Sequence, residues 1–473
     1  MAVCLVTCCL LAVCNQSIAD ESTEASIAAY ADAANFQTNG AFELAIDGWR
    51  AFLRKYPSDD LVPKASHYLG VCYMQKDPPD YPAAAEAFQQ ALKDKKYELR
   101  QETLANQGWC YYASAGEGPK RNANRLRQTI KAYDMLRKEF PKSEFLDRVY
   151  FYCGEAQYGL GDRQKAIANY DRLLSLPNAK ESPLRCDALY ARGIAYEELN
   201  KAKEAIASFE QLLGGCSSED LVIDVHLRIG DMMITQKEYD RAVRSFESAY
   251  QATDSNEDRA YSLFRQGYAL VQAGSPRGAA AKYDALLKNY PDSPYSGAAM
   301  LASAQSTYRD GNMDAAAVRF KRVLQSKDPK VATEAAHWLT RIYIGKDQIG
   351  EAIKIAENQI GAGAEGEYAI ELKVDLAEAL SMQPDTMKRA ISVSEDVYRQ
   401  APNHPLAPRA LYSAAFSALQ INEAPKATAL AKEFLAKFPR DTLTPDVRFI
   451  AAEGNLVSGK VDEAAKQYKE LLS

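Results

Sequence analysis

Between Ala33 and Ala464 the apolar and polar positions recur in one order: a small residue, a second small residue about twelve positions later, then usually an aromatic four beyond that. The second small residues are Ala45, Ala84, Thr129, Ala166, Ala205, Ala242, Ala279, Ala316, Ala352, Ala390, Ala427 and Ala464; successive ones lie 36 to 45 residues apart, and six of the eleven gaps are 37. The stretch Pro183 to Gly215 shows the pattern most clearly. From Cys186 to Leu199, Leu189, Gly193 and Tyr196 fall on one stripe at three- and four-residue spacing, and after Asn200-Lys201 a second stripe carries Ala205, Phe209 and Leu212. That period predicts two helices joined by a short turn, the second ending at Gly214-Gly215, where glycine permits a left-handed exit. Gly193 and Ala205 read as the point where the two helices cross, and Phe209 as a filler between this hairpin and the next. One hairpin of this size cannot bury its own apolar face. The chain is therefore expected to be an all-α α-solenoid of about twelve stacked hairpins that presents surface to a partner.

In nine of the twelve units the two small residues are 12 apart, as in Gly154 and Ala166, Gly230 and Ala242, or Ala452 and Ala464. Nine units carry the aromatic: Trp49, Phe88, Tyr133, Tyr170, Phe209, Phe246, Tyr283, Phe320 and Tyr468. A proline recurs 12 positions after the second small residue at Pro57, Pro141, Pro291, Pro402 and Pro439, where it stops a helix and pushes its predecessor toward an extended backbone. These features resemble the tetratricopeptide repeat. The resemblance implies helix-turn-helix hairpins wound into a right-handed superhelix with the first helix of each pair on the inner curve. Endings such as Phe140-Pro141-Lys142-Ser143 and the surplus after Pro291 are similar to the long-period repeats of bacterial periplasmic proteins, among them the assembly lipoprotein BamD and the Tol-Pal coordinating protein. They imply a cell-envelope protein or peptide as partner.

Three residues before the first small residue stand Tyr30, His67, Phe151, Tyr190, Phe264, His337, Tyr412 and Phe449. This column of rings is the candidate concave binding surface: it either grips an extended peptide or packs between neighbouring first helices. The repeated Lys and Asn pattern of relatives that clamp a C-terminal carboxylate does not occur on this face.

Residues 1–19 carry no charge, run apolar from Met1 to Cys14 and end in Ser17-Ile18-Ala19. That is the size of a signal-peptide core and too short to cross a bilayer as a helix, so cleavage is expected near Ala19, although no Lys or Arg precedes the core. An alternative takes Leu11-Ala12-Val13-Cys14 as a lipoprotein site, with Cys14 lipidated and the chain a structural lipoprotein of an outer-membrane or cell-division assembly. The mature chain then reads as units one to nine over 20–361 and units ten to twelve over 362–473, joined at the Gly361 to Gly366 run. In units nine to eleven Ala356, Ser394 and Ala431 replace the aromatic.

Composition adds exclusions. A net charge of -6 without a concentrated basic face argues against nucleic acid; Lys120, Arg121, Arg125 and Arg127, in the insertion of unit three, read as a solvated loop or a local anionic contact. Cys72, Cys110, Cys153, Cys186 and Cys216 follow the leader without CxxC spacing; Cys72 and Cys110 occupy equivalent points and read as buried packing residues, and a Cys186 to Cys216 disulfide is open in an oxidising compartment. His67, His226, His337 and His404 stand in different units, so no metal site is nominated, and no phosphate loop or hydrolase motif occurs. With no cofactor and no catalytic residue nominated, the expected role is a non-catalytic protein-binding scaffold, an enzyme with unrecognised groove residues being the minor alternative.

Overall fold

The computed structural model describes residues 24–471 apart from position 217; the leader and Cys14 lie outside the described residues. Apart from two single 3-10 turns, every regular element among the described residues is an α-helix. The chain divides into two compact units that meet between Val225 and His226.

The first unit stacks the pairs α1 (24–38) and α2 (Phe42–Lys55), α3 (Val62–Gln75) and α4 (Tyr81–Ala91), α5 (Arg100–Ala113) and α6 (Ala123–Glu139), α7 (Leu146–Gly159) and α8 (Arg163–Leu174), and α9 (Arg185–Glu198) and α10 (Ala202–Leu213). The division falls within α11 (Glu219–Thr235), which is followed by α12 (Tyr239–Ala252). The second unit continues with α13 (Asn256–Gln272) and α14 (Pro276–Asn289), α15 (Ser296–Arg309) and α16 (Met313–Val323), α17 (Pro329–Gly345) and α18 (Ile349–Gly363), α19 (Tyr368–Ser381) and α20 (Met387–Gln400), α21 (Ala407–Gln420) and α22 (Ala424–Lys437), and α23 (Thr444–Val457) and α24 (Val461–Leu471). Within each unit a helix packs on its successor, and first helices also meet one another, as α5 does α7 and α17 does α19. The Gly361 to Gly366 run ends α18 inside the second unit, with Gly363 at φ 101° and Gly366 at φ 84°.

Phe209 packs first against its own hairpin. Its ring stands over Gly193 of its own first helix, in the space a Cβ would take, and Phe88 does the same at Gly70, where a Cβ would meet ring carbons at 2.6, 2.7 and 2.8 Å. A helical side chain leans toward its helix N-terminus, so an aromatic one turn beyond Ala205 falls back across the hairpin, while equivalent rings also reach forward, Trp49 to Tyr68 at 5.8 Å and Phe320 to Trp338 at 6.4 Å. The small first residue is thus the seat of the ring. Where the aromatic is missing, Thr340 with Ala356 and Ala415 with Ala431 hold the equivalent positions, all fully buried.

The expected left-handed exit at Gly214 is absent: it has φ -76°, ψ -4°, and the carbonyls of Glu210 and Leu212 accept from its N–H in an ordinary right-handed last turn. Nine left-handed residues lie instead inside the hairpins. Gly40, Gly161, Asn200, Lys237, Gly274, Gly311, Asp347, Asn422 and Gly459 all have φ between 57° and 87°. Each stands seven residues after the first small residue, in the nine hairpins whose small residues are 12 apart. One left-handed residue at that place reverses the chain in so few positions that the two small residues come level, whereas the longer α5–α6 connection carries its left-handed residues, Gly116 and Gly118, further along.

Residues before the terminating prolines leave the helix without becoming fully extended. Tyr56, Phe140, Tyr290, Ala401 and Phe438 have φ between -125° and -136° and ψ between 51° and 71°. Each still donates its N–H to the carbonyl four residues back, Tyr56 to Phe52 at 2.9 Å, and that last bond holds ψ short of the strand region. Cys186 and Cys216 form a disulfide that ties the start of α9 to the segment after α10. Cys72, Cys110 and Cys153 are buried thiols, and burial pushes them up to about 11, about 12 and about 12 respectively.

Candidate binding face

Six of the eight column rings lean on the aromatic of their own second helix. The centroid distances are 4.8 Å for Tyr30 with Trp49, 5.7 Å for His67 with Phe88, 6.3 Å for Phe151 with Tyr170, 6.1 Å for Tyr190 with Phe209, 5.8 Å for Phe264 with Tyr283 and 6.2 Å for Phe449 with Tyr468. Tyr412 stacks on Phe416 at 6.0 Å, and His337 meets Tyr368 of the next hairpin at 5.1 Å. Three members also reach forward with a polar atom: His67 Nδ1 to Thr103 Oγ1 at 2.7 Å, Tyr190 OH to Asp224 at 2.8 Å and His337 Nδ1 to Asp375 at 2.5 Å. These bonds couple neighbouring hairpins. His67 is 2% exposed and offers no face to a partner, and burial lowers its pKa to about 4; Phe449, at 49%, is the most open of the column.

Larger ring clusters stand beside the column. Trp109 on α5 lies 4.8 Å from Tyr152 on α7, which is 5.0 Å from Tyr112, and Arg121 covers Tyr112 at 5.3 Å. In the second unit Trp338 lies 5.0 Å from Tyr308 and 6.3 Å from Tyr368. Apart from Tyr368, which starts α19, these rings occupy positions two before, one after and four after the first small residue, on the stripe that the column itself defines. Following that stripe one more turn along each first helix would have found them in the sequence. Of the four clustered basic residues, Arg121 and Arg125 lie over the Tyr112 and Tyr111 rings, Arg127 donates to Asn124, and Lys120 is exposed.

The column brings Phe151 and Tyr190 together in one groove of about 310 Å³ between α7 and α9, completed by Glu155, Tyr158, Asp187, Ala191 and Ile194. Tyr112 and Tyr170 donate to Glu155 at 3.2 and 2.7 Å. Asp187 reaches solvent at its tip, yet the groove wall partly desolvates it and raises its pKa. Tyr158 is covered by Arg163, whose guanidinium lies 4.0 Å from the ring centroid and pairs with Glu198. The groove flanked by the second helices α14 and α16 is instead spanned by the chain's own ion pair, Arg319 with Asp284, and Arg192 on α9 pairs with Asp171 on α8 at 2.9 Å. Among the described residues no group of three or more His, Cys, Asp or Glu is placed to hold a metal ion, and no helix is long and apolar enough to cross a membrane.

Two family descriptions match parts of the chain: a tetratricopeptide repeat-like domain over residues 248–387 and a tetratricopeptide repeat over 154–220. No curated protein matches. Solved structures that resemble it include a tetratricopeptide repeat protein from Parabacteroides merdae, 14% identical over 59% of this chain and 99% of that one, TM-score 0.36. PilF of Pseudomonas aeruginosa is 18% identical over 50% of this chain and 96% of its own, TM-score 0.33. YrrB, described as having an unusual peptide-binding site, is 16% identical over 44% of this chain and 94% of its own, TM-score 0.33.

Proposed function

We propose, from the premise that the chain is a tetratricopeptide-repeat protein, that it is an exported, non-catalytic scaffold holding an extended segment of another cell-envelope protein against the face built by its first helices. Repeats of this family serve as protein-protein interaction scaffolds. The observation that carries the reading is the run of half-exposed rings on first helices, Trp109, Tyr112 and Tyr152 in one unit and Tyr308, Trp338 and Tyr368 in the other. Such rings provide large, rigid contact area at low entropic cost. Carboxylates and hydroxyls between them supply directional contacts to a backbone.

Export is supported by the uncharged apolar leader and by the Cys186–Cys216 disulfide, a bond that persists in oxidising compartments. The test captures partners from envelope extract on the immobilised mature chain, comparing wild type with Trp109→Ala/Tyr152→Ala, with Tyr190→Ala/Phe264→Ala, and with Arg127→Ala as an outer control. Recovery should fall with the first two and persist with the third. Undiminished recovery by folded first-helix variants would reject this face as the binding surface.

A further inference from the structure

The groove between α7 and α9 differs from the equivalent groove between α11 and α13 in one decisive residue. There, Asp231, one position after Gly230, is paired with Arg265, two positions before Gly267, and the guanidinium of Arg265 lies 5.2 Å from the Tyr268 ring. At the matching places the first groove has Glu155, one after Gly154, and Ala191, two before Gly193. The acid is retained, and the arginine is replaced by a methyl group that lines the cavity. Further along, Glu378, on α19, is likewise satisfied from within, by Arg341 at 3.3 Å and Arg409 at 2.8 Å.

The guanidinium nearest the first groove's wall, Arg163, lies over the Tyr158 ring and is already paired with Glu198, so it does not replace the missing arginine. Glu155 is held by two tyrosine hydroxyls, which orient the carboxylate without forming an ion pair with it. Asp187, at the edge of the groove, has its pKa raised by partial burial. The walls are the rings of Phe151, Tyr158 and Tyr190. Aromatic faces and two carboxylates around a cavity of about 310 Å³ make an environment suited to a cation and hostile to an acid.

We propose that this groove binds a lysine or arginine side chain of the partner segment, which takes the place that Arg265 fills in the sibling groove. The proposal rests on the scaffold reading above and names the chemistry of the occupant. A partner segment docked across α7 and α9 supplies the guanidinium or ammonium that the chain provides for itself elsewhere, so basic residues are selected at this hairpin and acidic ones rejected.

The experiment measures fluorescence anisotropy of two labelled hexapeptides, alternating lysine and alanine or glutamine and alanine, against the mature chain at low salt. The lysine peptide should bind at least tenfold tighter than the glutamine one. Asp187→Asn should weaken it severalfold, and Ala191→Arg, which plugs the groove from within, should weaken it at least tenfold, each variant keeping the wild-type helical circular dichroism and melting temperature. Equal binding of the two peptides, or lysine-peptide binding untouched by Ala191→Arg, overturns the proposal. If Trp109→Ala/Tyr152→Ala still abolishes capture from extract while the lysine peptide fails to bind, the scaffold reading stands and this one falls. Failure of both experiments removes both.

Discussion

The seat of the ring in each hairpin can be tested by a double-mutant cycle at Gly230 and Phe246. A Cβ at Gly230 would meet Phe246 ring carbons at 2.5, 2.6 and 2.9 Å, and that ring is fully buried. Gly230→Ala alone gains about 1 kcal/mol of helix propensity but overpacks the site, and with three ring atoms displaced the clash costs about 2–3 kcal/mol, for a net loss of about 1–2 kcal/mol. Phe246→Ala removes a buried ring and costs about 3–5 kcal/mol. In the double variant the clash is gone, the new methyl fills part of the hole and the propensity gain remains, leaving a loss of about 2–4 kcal/mol rather than the summed 4–7. The expected coupling is about 2–3 kcal/mol in favour of the pair. Because repeat arrays open in parts, the assay is native-state amide exchange over α11 and α12, supported by urea unfolding. Additive losses would refute the account of glycine as a seat for the ring and leave it a crossing point only.

Other outcomes follow from particular residues. The Cys186–Cys216 bond closes a separation of 30 residues, so Cys186→Ser should lower the stability of the α9–α10 hairpin by about 3.5 kcal/mol, read by exchange or by melting with and without reductant. His67 has its pKa lowered from 6.5 to about 4 by burial, so between those values the unfolded chain binds more protons than the folded one. The corresponding stability is complete above pH 6.5 and is lost as the pH falls toward 4; His67→Gln should flatten that part of the stability-versus-pH curve, and an unchanged slope would count against a neutral buried imidazole. Lys237 holds φ 62° in the turn of its hairpin, and Lys237→Gly should raise stability by about 0.5–1 kcal/mol in urea unfolding, since a side chain is penalised in that conformation by more than glycine loses in chain entropy.

The hairpins were legible in the sequence because their period is written in small residues that cannot be replaced without moving a helix. The spacing of 12 marks those with a left-handed turn residue, although a polar turn such as Asn200-Lys201 does not by itself announce it. The seating of the Phe209 ring over Gly193 was not legible: composition gives its size, while the lean of a helical side chain brings it back over its own first helix. The column at Tyr30 to Phe449 was found by counting from the small residue, yet its polar partners Thr103, Asp224 and Asp375 stand at different offsets in the following hairpins. No single spacing predicts them. The role of Glu155 could not be read from its own hairpin, because its meaning depends on Ala191 standing where another hairpin has Arg265.

The turn residue seven places past each first small position has an evolutionary corollary. It completes every regular hairpin without help from elsewhere in the chain, so copying or excising one whole period of 37 residues, as from Ala205 to Ala242, restores the same junction on either side. Length in such a protein is a dial that duplication turns freely, whereas a cut made out of phase leaves one helix without its mate.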